Sequence, residues 1–210
     1  ELIKEHPQMR VVLMSATVDA AEISNFYADV TETVPPIIEV EGRTFAVNKL
    51  EKAESTVAEE LVSEDLLGKN VLCFLPGKGE IKDAMAAVRR TLRLRGMKDE
   101  SMPMLVPLHS KLSEREQDKA FRSYPNGKIV FSTNVAQTSL TIPDIDVVVD
   151  SGLDRQKQID DEGSESLPLI PTSQDDCDQR AGRAGRVKEG LYILTRLGKG
   201  SKFESYISRT

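Results

Sequence analysis

The sequence predicts an α/β fold with a parallel sheet flanked by helices. Two observations predict it. NVLCFLP (70–76), KIVFST (128–133) and DVVVDSG (146–152) are continuous rather than alternating apolar runs, as expected of strands covered on both faces. Segments with helical spacing separate them, the rhythm of crossover connections between parallel strands.

Taken in order, MRVVLMS (9–15) reads as a short strand, and AAEISNFYAD (20–29) as a helix carrying Ile23, Phe26 and Tyr27 at helical spacing. PPIIEVEGRTFAVN (35–48) alternates behind a proline head and reads as an extended crossing or linker. Residues 54–67 look helical, and EIKDAMAAVRRTLRLRG (80–96) is a helix closed by Gly96. LVPLHS, the helix SEREQDKAFRSY and the strand KIVFST follow. After DVVVDSG, residues 153–173 place two polar arms around DDEGSE, which fits a protruding β-hairpin or a solvated connection. Thr172 and Ser173 ahead of Asp175 and Asp176 start a helix over 174–186, with capping-box spacing and an acidic first turn.

Composition narrows the function classes. The 210 residues are 39% hydrophobic and 30% charged, enough for one sizeable core plus an appendage. The two cysteines, Cys73 and Cys177, belong to no CxxC or Cys/His cluster, which indicates neither a disulfide framework nor a zinc site and points to a reducing, intracellular compartment, nuclear or cytoplasmic. No apolar run approaches 18 residues, so membrane spanning has no support. A net charge of -6 and a pI near 5.2 argue against a generally basic nucleic-acid binder, so any polyanion must meet a local site.

One local site is conspicuous. QRAGRAGR (179–186) sets Arg180, Arg183 and Arg186 at three-residue intervals with glycine or alanine between them. Each of Gly182 and Gly185 costs a helix about 1 kcal/mol relative to alanine. Their presence predicts that something approaches this backbone closely. A second concentration lies past the strands, where parallel sheets bind ligands: Ser132, Thr133, Asn134, Thr138, Ser139 and Thr141 offer a density of short donors suited to phosphate and sugar oxygens. LHSKLS (108–113) and MSAT (14–17) sit similarly.

The ordered set MSAT (14–17), CFLPGKGEI (73–81), STNVAQTSLT (132–141), DSG (150–152) and QRAGRAGR (179–186) resembles motifs III to VI in the C-terminal half of a DEAH-box RNA helicase motor. EVEGRTF (39–45), DRQKQID (154–160) and ESLPLIPTS (165–173) resemble that family's interdomain link and the hairpin between motifs V and VI. The resemblance implies that residues 1–35 are the tail of a first RecA-like domain and 36–210 the second. It makes Arg183 and Arg186 arginine fingers facing the γ-phosphate of ATP held by the first domain, Gln179 an aid in positioning the attacking water, and Arg180 a structural residue. Rigid guanidinium forks suit the charge that develops there.

By the same resemblance Ser110, Lys111, Thr133, Asn134 and Thr138 hold single-stranded RNA by its backbone, and Ser15 and Thr17 couple hydrolysis to domain movement. Phe121 stacks on adenine, although as a residue of an amphipathic helix it reads equally well as core. Ser139, Thr141 and Asp144 lie on the ATP side. Pro143 occupies the position where the family often has the acidic residue for the ribose, with Asp144 one place later, and Ser110 stands where glycine is common. The implied cofactor is ATP with Mg2+, held mainly by the first domain; the implied partners are RNA, that domain and an activator protein, for a monomer without a membrane.

Nowhere does the sequence contain GxxxxGK[ST] or a DEAH-like acidic motif. The expectation is therefore that this chain alone does not hydrolyse ATP. A flavivirus-type helicase shares the superfamily, but larger basic residues are usual there in place of Ala181. A dinucleotide-binding domain built on Gly77-Lys78-Gly79 fails because Lys82 replaces the third glycine. A non-enzymatic RNA-binding module is the remaining alternative.

Overall fold

The computed structural model describes residues 5–6, 8, 10–13, 20–31, 34–38, 45–138, 140–159 and 163–198. It divides into two compact units, residues 1–42 and 43–210.

In the first unit, helix α1 (Ala20–Thr31) forms over the segment with helical spacing. Ser24 is buried and its hydroxyl donates to the Pro35 carbonyl at 3.1 Å. Residues 10–13 form no strand, contrary to the expectation for 9–15, and Val11, Val12 and Leu13 are exposed. A parallel strand exists only through hydrogen bonds to its neighbours, and among the described residues nothing pairs with this run.

The second unit begins with strand β1 (Val47–Thr56), helix α2 (Val57–Leu61), strand β2 (Asn70–Phe74) and helix α3 (Lys78–Leu94). Strand β3 (Met104–Leu108), helix α4 (Glu114–Gln117), strand β4 (Lys128–Ser132), helix α5 (Val135–Thr138) and strand β5 (Val147–Asp150) follow. Short strands β6 (Leu153–Arg155), β7 (Gln158–Ile159), β8 (Glu165–Ser166) and β9 (Leu169–Pro171) lead to helix α6 (Gln174–Ala181) and strand β10 (Gly190–Arg196). The main sheet has six strands in the order β1-β10-β5-β2-β4-β3, every pair parallel. Two antiparallel ladders, β6 with β9 and β7 with β8, fill the interval between β5 and α6.

The continuous apolar runs are buried on both faces, as the parallel sheet requires. Alternate residues Val71, Cys73, Ile129, Phe131, Val147 and Val149 join one core with Val57, Leu61, Ile81, Val88 and Leu92 from α2 and α3. Their neighbours Leu72, Phe74, Val130, Val148 and Tyr192 join a second core with Cys177 and Ala181 from α6. At roughly 1.5–3 kcal/mol per buried side chain, these two layers dominate the favourable side of folding.

The edge departs from expectation. The helix expected over 54–67 is confined to 57–61, where Thr56 and Glu59 form a capping box. The preceding residues are strand β1 because they pair with β10. VNKLEKAEST is rich in charge and half of its residues are exposed, so propensity misreads it while sheet pairing decides it. Helix α4 is likewise short and passes into a 3-10 turn, Asp118–Phe121.

Gly127 precedes β4 at φ +74°, and a Cβ there would stand 2.7 Å from the carbonyl oxygens of Gly68 and Lys69. Gly96 has φ +80° with open space around it. Gly127→Ala is expected to destabilise the fold by about 2 kcal/mol or more, against about 1 kcal/mol for Gly96→Ala. Urea denaturation of both variants checks the difference.

Candidate functional site

The arginine comb straddles the end of a helix. The Ser173 hydroxyl accepts from the Asp176 amide at 3.2 Å to cap α6, which ends at Ala181 rather than at 186. The chain then tightens into turns, with the Arg183 amide bonded to the Arg180 carbonyl and that of Ala184 to the Ala181 carbonyl. Glycines beyond Ala181 favour that exit, so the three arginines meet three environments.

Arg180 is 1% exposed and every guanidinium nitrogen has a partner. Nε donates to Gln137 Oε1 at 3.0 Å, Nη1 to Asp150 Oδ1 at 3.0 Å and Thr172 Oγ1 at 3.1 Å, and Nη2 to Asp154 Oδ2 at 3.1 Å. Its Cζ lies 5.0 Å from the Phe74 ring centre, a cation–π contact. The other Asp150 oxygen accepts from Tyr192 Oη at 2.9 Å. Burial works against the Arg180 charge, but Asp150 and Asp154 overcome it and its pKa stands above the ordinary value. Asp154 stands above the usual carboxylate range because burial outweighs the pull of Arg180. Burial, then Asp150, pushes the Cys177 thiol to about 12, which makes it inert.

Arg183 and Arg186 differ from this. Arg183 Nη1 donates to the Leu140 carbonyl at 3.3 Å, and Arg186 Nη1 to Thr141 Oγ1 at 2.9 Å. Burial, then repulsion from Arg186, lowers Arg183 to about 10. Arg183 stays charged at neutral pH, and among the described residues neither arginine forms an ion pair with a carboxylate. A half-buried cation beside an exposed one calls for an anion, and guanidinium forks suit phosphate oxygens.

The close approach predicted for the glycines exists at Gly185, and the chain itself makes it. A Cβ there would lie 2.6 Å from the Phe45 carbonyl oxygen and from Val47 Cγ2, whereas at Gly182 it would meet only ordinary contacts at 3.5 Å. The Phe45 amide donates to the Gly185 carbonyl at 2.8 Å and the Gly190 amide to the Ala46 carbonyl at 3.0 Å, so the comb's loop is clamped against the start of β1.

The polar residues past the strands gather at the carboxyl edge of the sheet. The Thr133 amide bonds to the Leu108 carbonyl at 3.3 Å, which sets Thr133 and Asn134 beside the loop carrying Ser110 and Lys111. Ser110, Lys111 and Asn134 are exposed and Thr133 is half-buried. Thr138 ends α5. Ser139, Ser15 and Thr17 lie outside the described residues. Phe121 closes the 3-10 turn, half-buried against the second core.

Asp144 takes φ 64° and directs one carboxylate oxygen to the buried Lys128 ammonium at 2.9 Å and the other to Asn70 Nδ2 at 3.2 Å. Those partners begin β4 and β2, so Asp144 is committed at the amino edge of the sheet. Gln137 is a residue that sequence reasoning missed. It is buried, donates to Asp176 Oδ1 at 2.7 Å and to Gln179 Oε1 at 3.4 Å, and accepts from Arg180, so it ties α5 to α6. Asp150 was missed as well, although a carboxylate ending an all-valine strand signals a buried partner. Among the described residues no group of three His, Cys, Asp or Glu side chains could hold a metal ion, and no helix is long and apolar enough to cross a membrane.

Comparison with known proteins adds to this geometry. The model of the helicase conserved C-terminal domain matches residues 51–188. The chain is 35% identical over 208 residues to the ATP-dependent RNA helicase HrpA of Escherichia coli K12, covering 92% of this chain and 15% of that protein. It is 35% identical over 199 residues to the probable ATP-dependent RNA helicase DHR2 of Saccharomyces cerevisiae, covering 88% of this chain and 26% of that protein. It thus spans about a quarter or less of these relatives' lengths. A crystal structure of the Escherichia coli DEAH/RHA helicase HrpB superposes with a TM-score of 0.70 at 30% identity, over 94% of this chain and 25% of that one. A second, described as the DExH-box NTPase HrpB, gives a TM-score of 0.67 at 31% identity over 91% of this chain and 24% of that one.

Arg180→Met is expected to destabilise the fold by about 3–5 kcal/mol, because it strands Asp150 and Asp154 without their cation. Arg186→Ala is expected to lower stability by less than about 1 kcal/mol. Chemical denaturation of the two variants separates the structural arginine from the exposed one.

Proposed function

The chain belongs to the helicase conserved C-terminal domain family, as the C-terminal helicase domain of a DEAH-type helicase, and from that premise we propose that it is the second RecA-like motor domain of an ATP-dependent RNA helicase. In this reading residues 1–35 are the tail of the first motor domain with its linker, and residues 36–210 are the second. Arg183 and Arg186 address the γ-phosphate of ATP bound at the first domain. The observation that carries the reading is their geometry: two guanidinium groups side by side, without carboxylate partners among the described residues, on a loop clamped to the sheet.

ATP, with Mg2+ held mainly by the first domain, supplies a transferable phosphoryl group. The residues of this chain provide positive charge where negative charge accumulates during transfer, a contribution worth about 10³ to 10⁵ in rate for an arginine finger. Preorganisation matters more than charge alone, since a donor already aimed needs no rearrangement at the moment of reaction. The fixed hydrogen bonds to Leu140 and Thr141 supply that aim and yield to phosphate oxygens when the cleft closes. Gln179, one residue before the buried Arg180, helps position the attacking water.

RNA is held by its backbone at the carboxyl edge, with Ser110, Lys111, Thr133, Asn134 and Thr138 as donors, a grip largely independent of sequence. Phe121 stacks on adenine through its accessible face. Ser139 and Thr141 stand on the nucleotide side, and Asp144 reaches the ribose only by leaving Lys128 and Asn70, a rearrangement that disfavours tight ribose recognition. Ser15 and Thr17 couple hydrolysis to movement between the domains. This chain contains neither GxxxxGK[ST] nor a DEAH-like motif and is inactive as an ATPase by itself.

The test is RNA-stimulated ATPase activity of the chain alone and after mixing with the phosphate-loop domain of the same helicase. Activity is expected only in the mixture, and Arg183→Ala or Arg186→Ala is expected to lower it about 10³-fold or more while RNA binding without nucleotide stays intact. Turnover by the chain alone, or turnover unchanged in both variants, overturns the reading.

A further inference from the structure

Helix α3 and the edge strand β3 enclose a groove of about 750 Å³ that the motor reading does not use. Its rim is cationic: Lys78, Lys82, Arg89, Arg90 and Arg93 all line it, and no acidic residue does. Arg93 makes a two-pronged pair with Asp99 at 2.8 and 3.1 Å, while the other four form no ion pair among the described residues. In a chain of net charge -6, this is a local excess of positive charge, with Asp99 acting on Arg93 and Arg89.

Its floor is apolar. Ile81, Met85 and Pro107 form it, and Leu94, 81% exposed, closes the far end. From Lys78 to Leu94 the helix runs about 24 Å. An extended chain of about seven residues spans that length. Pro107 gives the edge strand no amide there, so side chains rather than an added ladder must hold the occupant. No Phe, Tyr or Trp lines the groove, and His109 at the Lys78 end is its one aromatic side chain. At the Lys78 end, His109 Nδ1 is buried and finds no hydrogen-bond partner among the described residues.

We propose that the α3–β3 groove docks an extended acidic segment of a partner protein, in which carboxylates alternating with apolar side chains meet the cationic rim and the apolar floor. The surface is separate from the arginine pair, and its occupancy does not depend on nucleotide.

The test measures fluorescence polarisation with the full chain and three labelled probes: an alternating Glu-Leu heptapeptide, its Lys-Leu counterpart and a short oligouridine. The Glu-Leu peptide is expected to bind, the Lys-Leu peptide not to. The double change Arg89→Glu with Arg90→Glu, both on exposed positions, is expected to weaken the acidic peptide at least about tenfold, and Leu94→Ser about threefold. Oligouridine affinity is expected to be unchanged in both variants. Equal binding of the two peptides, acidic-peptide affinity that survives the charge reversal, or oligouridine affinity that falls in step with it each overturns the proposal, the last by making the groove an RNA surface.

Discussion

The buried ion pair between Arg180 and Asp150 is the constraint on which the rest of this domain depends. Removing both charges from water is expensive, and the arrangement is tolerable because nothing on either group is left unbonded. Arg180 reaches Gln137, Thr172 and Asp154, and Asp150 also accepts from Tyr192 and from the Gly152 amide. Elements spread between Gln137 and Tyr192 are therefore fixed around one guanidinium: the end of β5, the middle of β10, β6, α5 and α6. A hydrophobic substitute could fill the volume but would not dictate this set of directions. The three-residue period then follows, since anchoring the first arginine in the interior leaves the next two on the turn beyond the helix.

That division of labour was only partly legible. The parallel sheet could be read because β2, β4 and β5 each carry an unbroken apolar run, Val71 to Phe74, Ile129 to Phe131 and Val147 to Val149, as strands covered on both faces do. The edge could not. β1 is polar and exposed, so nothing local separates its Lys-Glu-rich residues from an amphipathic helix, and its pairing with β10 is a decision made 140 residues away. β10, GLYILTR, had drawn no expectation at all, although it sits in the middle of the sheet.

The site shows the same limit. The residues of the comb and the hydroxyls past the strands are legible because their types are chemically unusual in such density. The residues that hold them in place, Gln137 and Asp150, have no such signature; an amide or a carboxylate is ordinary until its burial is known. Asp144 shows the converse. It lies beside the position where the family often has an acidic residue, yet the fold gives its carboxylate to Lys128, a buried ammonium that would otherwise stand unneutralised.

The clamp on the comb's loop has a mechanical consequence. Two backbone hydrogen bonds, from Phe45 to Gly185 and from Gly190 to Ala46, join the loop to the residues through which the chain enters the sheet. Tension on the segment before Phe45 is therefore delivered directly to the backbone that carries Arg183 and Arg186, with no flexible side chain in between to absorb it. At Gly185 the two backbones come so close that even one methyl group would pry them apart.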